Sequence, residues 1–135
     1  MSELTIPKDL LQELLDHCIA CFPNEACGIL AGAEGRVSRV YSIANNEPSP
    51  VSYLMDTREQ FRVQKEMREK DERMLAIFHS HPQSPAYPSA RDVSLAFYDD
   101  VVYVIVGLAG RTVNEIRAFT IVGGAVTEVL IRTGD

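Results

Sequence analysis

Apolar positions along this chain come in two spacings, helical and alternating, and the changes between them mark the predicted elements. Leu4–Ile6 reads as a short edge strand, and Pro7 suits the start of a helix. Over 8–21, Leu10, Leu11, Leu14, Leu15, Cys18 and Ile19 recur at helical spacing, which predicts an amphipathic helix closed by Pro23-Asn24. The apolar run Ala26–Ala31 predicts a buried strand. Val37–Ala44 alternates, with Val37, Arg39, Tyr41 and Ile43 on one face, so the two pair as a hairpin across Gly32–Arg36. Asn45–Ser52 is a loop by composition, and Ser52–Asp56 predicts a short strand. Thr57 is read as the N-cap of a charged helix over 58–71, with Gln60 completing a capping box and a thin apolar stripe of Phe61, Val63 and Met67. Met74–Phe78 is a second apolar strand leading straight into His79-Ser80-His81. After a Pro- and Ser-rich loop over 82–88, Ser89 caps a short helix that starts at Ala90 and carries Asp92 in its first turn. Val101–Leu108, the most hydrophobic run, predicts the central strand. Glu115–Val122 and Val126–Arg132 close the chain as a hairpin around Gly123-Gly124.

This order predicts a mixed α/β fold around one sheet flanked by helices, in a single domain over 1–135. Composition agrees: 135 residues, 46% hydrophobic and 24% charged, are those of one ordinary globular domain. The formal net charge of −6 removes the basic surplus that phosphate contacts require, which argues against a nucleic-acid partner. No apolar run approaches the roughly 20 residues of a membrane span, and Met1–Pro7 lacks the basic and apolar regions of a signal peptide. A cytoplasmic protein without membrane attachment is therefore expected. Three cysteines argue against a disulfide framework. Cys18 and Cys21 form a C-x-x-C pair, but at the end of a predicted helix and without a full set of further ligands, so they are read as packing thiols.

The chemistry concentrates in 79–92. Two of the three histidines, His79 and His81, lie two residues apart. On a strand such residues share a face, so both imidazoles can reach one metal. Asp92 returns a carboxylate after the proline-rich loop, and His and Asp are both good zinc ligands. Three protein ligands leave a tetrahedral position open, the mark of catalytic rather than structural zinc, where bound water is acidified toward a pKa of about 7. Each piece alone has an ordinary explanation: Asp92 as a helix N-terminal carboxylate, Ser89 as a cap, the prolines as loop stiffeners. The combination of His-x-His, seven residues, Ser, two residues, Asp is far rarer than its parts.

That combination, His79-Ser80-His81-Pro82 with Ser89 and Asp92, resembles the signature of the JAMM (MPN+) zinc metalloproteases. Pro23-Asn24-Glu25-Ala26-Cys27-Gly28 matches the upstream glutamate element of the same family. The resemblance implies an MPN-like domain of cytidine-deaminase-like architecture with one zinc per chain on His79, His81 and Asp92. It implies that Glu25 holds the attacking water, acts as general base and passes the proton to the leaving amine. Ser89 would hydrogen-bond the oxyanion. Nothing in the local pattern around Glu25 assigns that role. Ser80 and Pro82 would shape the loop, while Tyr87 and Asn45 are weaker candidates for a substrate groove.

The chain is compact, with only about ten residues between Asp92 and the strand at Val101, and so is similar to minimal prokaryotic members. The expected substrate is the C-terminal tail of a ubiquitin-like sulfur-carrier protein, added as a strand beside the metal with Asn45–Tyr53 as a flank. A broader desampylase or deubiquitinase-like isopeptidase is the alternative within enzymes. A non-catalytic MPN scaffold is the alternative outside them, although it predicts lost ligands. The His-x-Glu and Pro-Cys-x-x-Cys motifs of zinc deaminases and the His-Glu-x-x-His of zincins are absent. Oligomeric state is not set by the sequence.

Overall fold

The structure is a computed structural model that describes residues 1–134. Its elements are β1 (Glu3–Thr5), α1 (Lys8–Cys21), β2 (Cys27–Ala33), β3 (Arg36–Ile43), α2 (Thr57–Glu69), β4 (Arg73–His81), α3 (Ala90–Ser94), β5 (Val102–Ala109), β6 (Thr112–Val122) and β7 (Ala125–Arg132). The sheet runs β1-β3-β2-β4-β5-β6-β7 and closes on itself. The sheet is the expected mixed, curved one flanked by helices, but its closure leaves β1 paired on both sides rather than at an edge. Closure is made by β1, three residues long, which pairs in parallel with β7 through Glu3–Thr5 and with β3 at Thr5 and Arg36. A segment this short gives almost no periodic signal, so its two-sided pairing is invisible in the sequence. Closing the ring removes the unpaired edges that an open sheet would expose.

Mixed strand directions follow from the connections. Antiparallel pairs β2–β3, β5–β6 and β6–β7 are joined by tight turns, whereas β4 and β5 are parallel and joined by the crossover that contains α3. In the ring β4 lies between β2 and β5, and it is buried from Leu75 to His81. Both faces of these strands are covered, which is why β4 and β5 read as continuous apolar runs rather than alternations. On one face Leu14 and Cys18 of α1 pack with Leu30, Ala76, Phe78, Val104 and Val106. On the other, Val63 and Met67 of α2 pack with Cys27, Ile29, Ile43, Ile77 and Tyr103.

Four local expectations change. Residues 52–56 form no strand; only an isolated antiparallel bridge joins Asn45 to Met55. The cap of α2 is Asp56 rather than Thr57, its Oδ1 accepting from the Arg58 and Glu59 amides at 2.8 and 3.1 Å. Both residues are competent caps, and the bend after the Met55 bridge selects the carboxylate. Phe61 does not join the buried stripe and is 71% exposed, because Val63 and Met67 alone fill the narrow contact with β3 and β4. Along β3 the buried positions are Val37, Val40 and Ile43, not one alternating face, since a register shift opposite Ala31 and Gly32 turns the strand.

Gly28 makes the close packing of β2 possible. A Cβ there would collide with the Phe78 ring and with the backbone carbonyl of Tyr41. The ring could turn, but the carbonyl is fixed by the sheet. Gly28→Ala should therefore lower stability by about 1–3 kcal/mol or more, read as a fall in the urea midpoint. An unchanged midpoint would mean that this approach is looser than the structure shows.

Candidate functional site

Strand β4 carries His79 and His81 on the same face as Ile77, and both side chains are buried, at 1% and 2% exposure. The expected strand stops at Phe78, but β4 continues through His81 because β5 runs beside it as far as the His81–Gly107 pair. The short helix α3 delivers Asp92. Ser89 Oγ accepts from the Asp92 amide at 3.0 Å and the Ser89 amide donates to Asp92 Oδ2 at 2.9 Å, a reciprocal capping box that locks the carboxylate in place. Three atoms then converge. His79 Nε2 and His81 Nε2 are 3.1 Å apart, and Asp92 Oδ2 lies 3.2 Å from the first and 3.0 Å from the second.

This triangle suits a cation. His81 Nδ1 donates to the Pro85 carbonyl at 2.8 Å, which places the proton of the neutral ring on Nδ1 and the lone pair on Nε2. In that neutral tautomer His81 Nε2 and Asp92 Oδ2 turn lone pairs toward one point beside His79 Nε2, and a proton taken up there in the metal-free chain makes an imidazole a donor to Asp92. Three such atoms packed together repel one another unless a proton or a metal ion lies between them. Tetrahedral ligand bonds of about 2.0–2.1 Å would space neighbouring ligand atoms about 3.3 Å apart, close to the spacing found. Among the described residues this is the group of His, Cys, Asp and Glu side chains that could hold a metal; Cys18 and Cys21 belong to no such group. Cys18 and Cys27 are buried with thiols pushed up to about 12 by burial, and Cys21 is pushed up by the same cause. The cysteines are packing groups, as expected.

Glu25 ends the loop between α1 and β2. Its backbone is fixed on three sides. The Glu25 amide donates to Ser49 O at 2.7 Å, and the Glu25 carbonyl accepts from Asn45 Nδ2 at 3.1 Å. At the next residue, the Ala26 amide donates to Ser80 Oγ at 2.8 Å while the Ser80 amide donates to Ala26 O. Ser80, expected to shape the loop after the histidines, instead joins the glutamate segment to the histidine strand. Asn45 also accepts from Glu47 and Leu54 through Oδ1; its place is in the loop scaffold rather than a groove. The Glu25 carboxyl is 4% exposed, and its Oε1 has no hydrogen-bond partner among the described residues. Burial pushes the carboxyl up to about 8, with His81 pulling it down, Asp92 pushing it up and Arg91 pulling it down. Asp92 is moved the other way. Burial disfavours its charge, but hydrogen bonds from His79 and His81, then the charge of His79 and the Ser89 amide, hold it well below the usual carboxylate range. The histidines also diverge. Burial holds His79 below its ordinary value, whereas at His81 burial is outweighed by Asp92 and the Pro85 carbonyl, which raise it.

Tyr53, in sequence no more than the end of a loop flanking the site, is brought directly onto it. Its ring stacks on His79, with centroids 4.8 Å apart and 30° between planes; only its place at the end of that loop could have suggested it. Tyr87 packs edge-on against Phe119, with Arg117 over both rings. It tethers the 82–88 loop to β6, helped by the Ala86 amide donating to Glu115 at 3.2 Å.

A family profile described as "Prokaryotic homologs of the JAB domain" matches residues 7–122. The chain belongs to this family. Among relatives, it is 42% identical over 127 residues to the CysO-cysteine peptidase of Mycobacterium tuberculosis, covering 93% of this chain and 87% of that protein. It is 36% identical over 129 residues to the probable TtuB-protein conjugate cleaving protease of Thermus thermophilus, covering 95% and 82%. The solution structure of protein DSY2949 from Desulfitobacterium hafniense superposes with a TM-score of 0.84 at 40% identity, covering 95% and 90%. The JAB1/MPN domain protein AF2198 from Archaeoglobus fulgidus superposes at 0.62 with 18% identity, covering 97% and 98%, and shows the shared fold. The resemblance to the JAMM (MPN+) family read from the sequence is thus borne out, as is the mixed α/β fold around a curved sheet. Among the described residues, no helix of this JAB-family chain is long and apolar enough to cross a membrane.

The Glu25 carboxyl ties stability to pH. Its folded value of about 8 lies above the ordinary 4.5, so the folded metal-free chain binds a proton more tightly than the unfolded chain. Stability falls as pH rises through 4.5 to 8 and levels off beyond. Glu25→Gln copies the neutral form. The metal-free variant should melt above the wild type by a margin that is small near pH 4.5 and widens toward pH 8. Thermal melts in chelator across that window check this; a margin independent of pH would show that Glu25 titrates normally.

Proposed function

We propose that residues 1–135 form one catalytic domain, a zinc-dependent metallopeptidase that hydrolyses the amide bond at the C-terminus of a ubiquitin-like sulfur-carrier protein. The observation that carries this reading is the convergence of His79 Nε2, His81 Nε2 and Asp92 Oδ2 within 3.0–3.2 Å of one another. Beside them sits the buried Glu25 carboxyl, which has an unpartnered oxygen and a raised affinity for protons. The relatives named for CysO-cysteine and TtuB-protein conjugate cleavage support the choice of substrate.

In this reading His79, His81 and Asp92 hold the metal. Zinc in such a site polarises a carbonyl oxygen and makes water acidic enough to react at neutral pH. Glu25 orients the attacking water through its free Oε1, takes its proton, and delivers that proton to the nitrogen of the leaving amine. One carboxylate serves both transfers by accepting the proton from water on one side and releasing it to the amine on the other. Ser89 Oγ accepts from the Asp92 amide, so its own hydroxyl proton remains available to donate to the oxyanion of the tetrahedral intermediate. Tyr53, stacked on His79, shields that imidazole from bulk water and fixes its plane. The full ligand set favours an enzyme over a scaffold.

Elemental analysis of the wild type and His81→Ala side by side tests the site. One zinc per chain is expected, and it should be lost in the variant; absence of zinc in reconstituted wild type would remove the hydrolase reading. Glu25→Gln should keep its zinc and lose turnover by about 10²–10⁴-fold, the usual contribution of a positioned base. Near-normal turnover in that variant would assign the base to another group.

A further inference from the structure

Beside His79 and Asp92 lies a shallow cavity whose wall also includes Tyr53, Arg91, Leu95 and Tyr103. Arg91 is the only lysine or arginine among the described residues that line it. Arg39, Arg62, Arg117 and Arg132 are matched to carboxylates of Glu72, Glu59, Glu128 and Glu3, whereas Arg91, like Arg58, Arg68 and Arg73, is matched to none among the described residues, and of these four it is the one on the cavity wall. The Arg91 guanidinium makes no such contact among the described residues; only its backbone carbonyl is engaged, accepting from Ser94 Oγ and the Leu95 amide. Its sequence position, next to Asp92 in the locked capping box of α3, holds its backbone rigidly beside the three converging ligand atoms. Its charge is felt at the Glu25 carboxyl. The site therefore contains one unmatched planar cation at the rim of a cluster of carboxylates and imidazoles.

We propose that Arg91 binds the free α-carboxylate of a single amino acid attached to the carrier's C-terminus, so that the enzyme releases one amino acid in preference to cleaving an isopeptide-linked lysine. This rests on the hydrolase reading above. The chemistry of the two leaving groups differs at one place. In a carrier–amino acid adduct, the carboxylate is separated from the scissile nitrogen by the α-carbon alone, so it must sit beside the metal ligands when the amide does. In an isopeptide, the same nitrogen is followed by the four methylenes of lysine and no carboxylate lies near. A guanidinium fork matches a carboxylate with two parallel hydrogen bonds, and Arg91, itself exposed at the cavity rim, is free to turn that fork toward an incoming carboxylate. The hydrolysis itself is balanced by one water: hydroxyl adds to the carrier's terminal carbonyl carbon, the C–N bond breaks, and the departing nitrogen takes the remaining proton. The products are the carrier carboxylate and the free amino acid. Arg91 takes no part in these transfers. It places the scissile bond and selects the leaving group.

The test uses the zinc-loaded full chain and two peptides ending in Gly-Gly-Ala, one a free acid and one a C-terminal amide. Cleavage is followed as kcat/KM, and a Glu25→Gln background is used for binding, followed by NMR of the Arg91 Nε–H. Wild type should cleave the acid at least 10-fold better than the amide. Arg91→Ala should lose that preference, its kcat/KM falling about 10-fold or more further on the acid than on the amide, and Arg91→Lys should keep part of it. In the Glu25→Gln protein, the acid but not the amide should shift the Arg91 resonance. Equal cleavage of both peptides by wild type, an equal loss on both in Arg91→Ala, or no selective shift of the resonance would overturn the proposal while leaving the hydrolase standing. A zinc-loaded wild type that neither cleaves nor binds either peptide would overturn this proposal, while the hydrolase reading is decided by the zinc analysis and the Glu25→Gln turnover above.

Discussion

Two hydrogen bonds between Ala26 and Ser80 set the frame of the site. The Ala26 amide donates to Ser80 Oγ at 2.8 Å, and the Ser80 amide donates back to Ala26 O at 3.1 Å. They extend the β2–β4 ladder one step past the Cys27–His79 pair, to the point where Glu25 leaves the loop and His81 ends the strand. Ser80 is fully buried, so neither bond competes with water, and a missing partner would leave a buried backbone group unsatisfied. Because side chains alternate along β4, a serine that turns toward Ala26 forces His79 and His81 to the opposite face together. The same residue therefore orients both imidazoles and anchors the glutamate, leaving only Asp92 to be placed by a separate element, the capping box of α3.

Electrostatics then separate two carboxylates of similar intrinsic acidity. Asp92 Oδ2 is surrounded by hydrogen-bonding neighbours, the two imidazoles and the Ser89 amide, and stays ionised. Glu25 Oε1 is buried with none and is driven toward its neutral form. Pairs of titratable groups pushed apart in this way divide the roles of permanent charge and mobile proton. The division is a property of the backbone frame: one carboxylate sits in a helix capping box, the other is buried at the start of a strand with an unpartnered oxygen. A cation among the three converging atoms would draw Glu25 down as well, which is why the raised value belongs to the metal-free chain.

Much of this was legible in the sequence, for specific reasons. The apolar runs that became β2, β4 and β5 are long enough to be unambiguous once both faces are known to be covered. His79 and His81 shared a face by period alone, and Ser89 with Asp92 announced a capping box through their spacing. Glu25 was recognisable only by family resemblance, because a glutamate between a helix and a strand has no local signature; its burial depends on Ser49 and Asn45, more than twenty and about twenty residues away. The Asp56 cap, the outward Phe61 and the ring closure by β1 were hidden for a related reason. Each depends on which neighbour arrives across space, and neighbouring residues offered the same local chemistry.

The loop over 82–88 shows how far such dependence reaches. It looks like a stiff connector, but its carbonyl at Pro85 fixes the proton of His81 on Nδ1 at 2.8 Å and so decides which nitrogen faces Asp92. The loop is itself held by β6, through Glu115 to the Ala86 amide and through Phe119 and Arg117 to Tyr87. Gly107 on β5 keeps the passage narrow, with Ala86 only 3.3 Å from where a Cβ would stand. The tautomer of one metal-site histidine is thus set by a later strand, β6, that contributes no ligand. A substitution at Glu115 or Phe119 that leaves the fold intact would loosen the Pro85 carbonyl, free His81 to exchange tautomers, and weaken the site through its geometry rather than its composition.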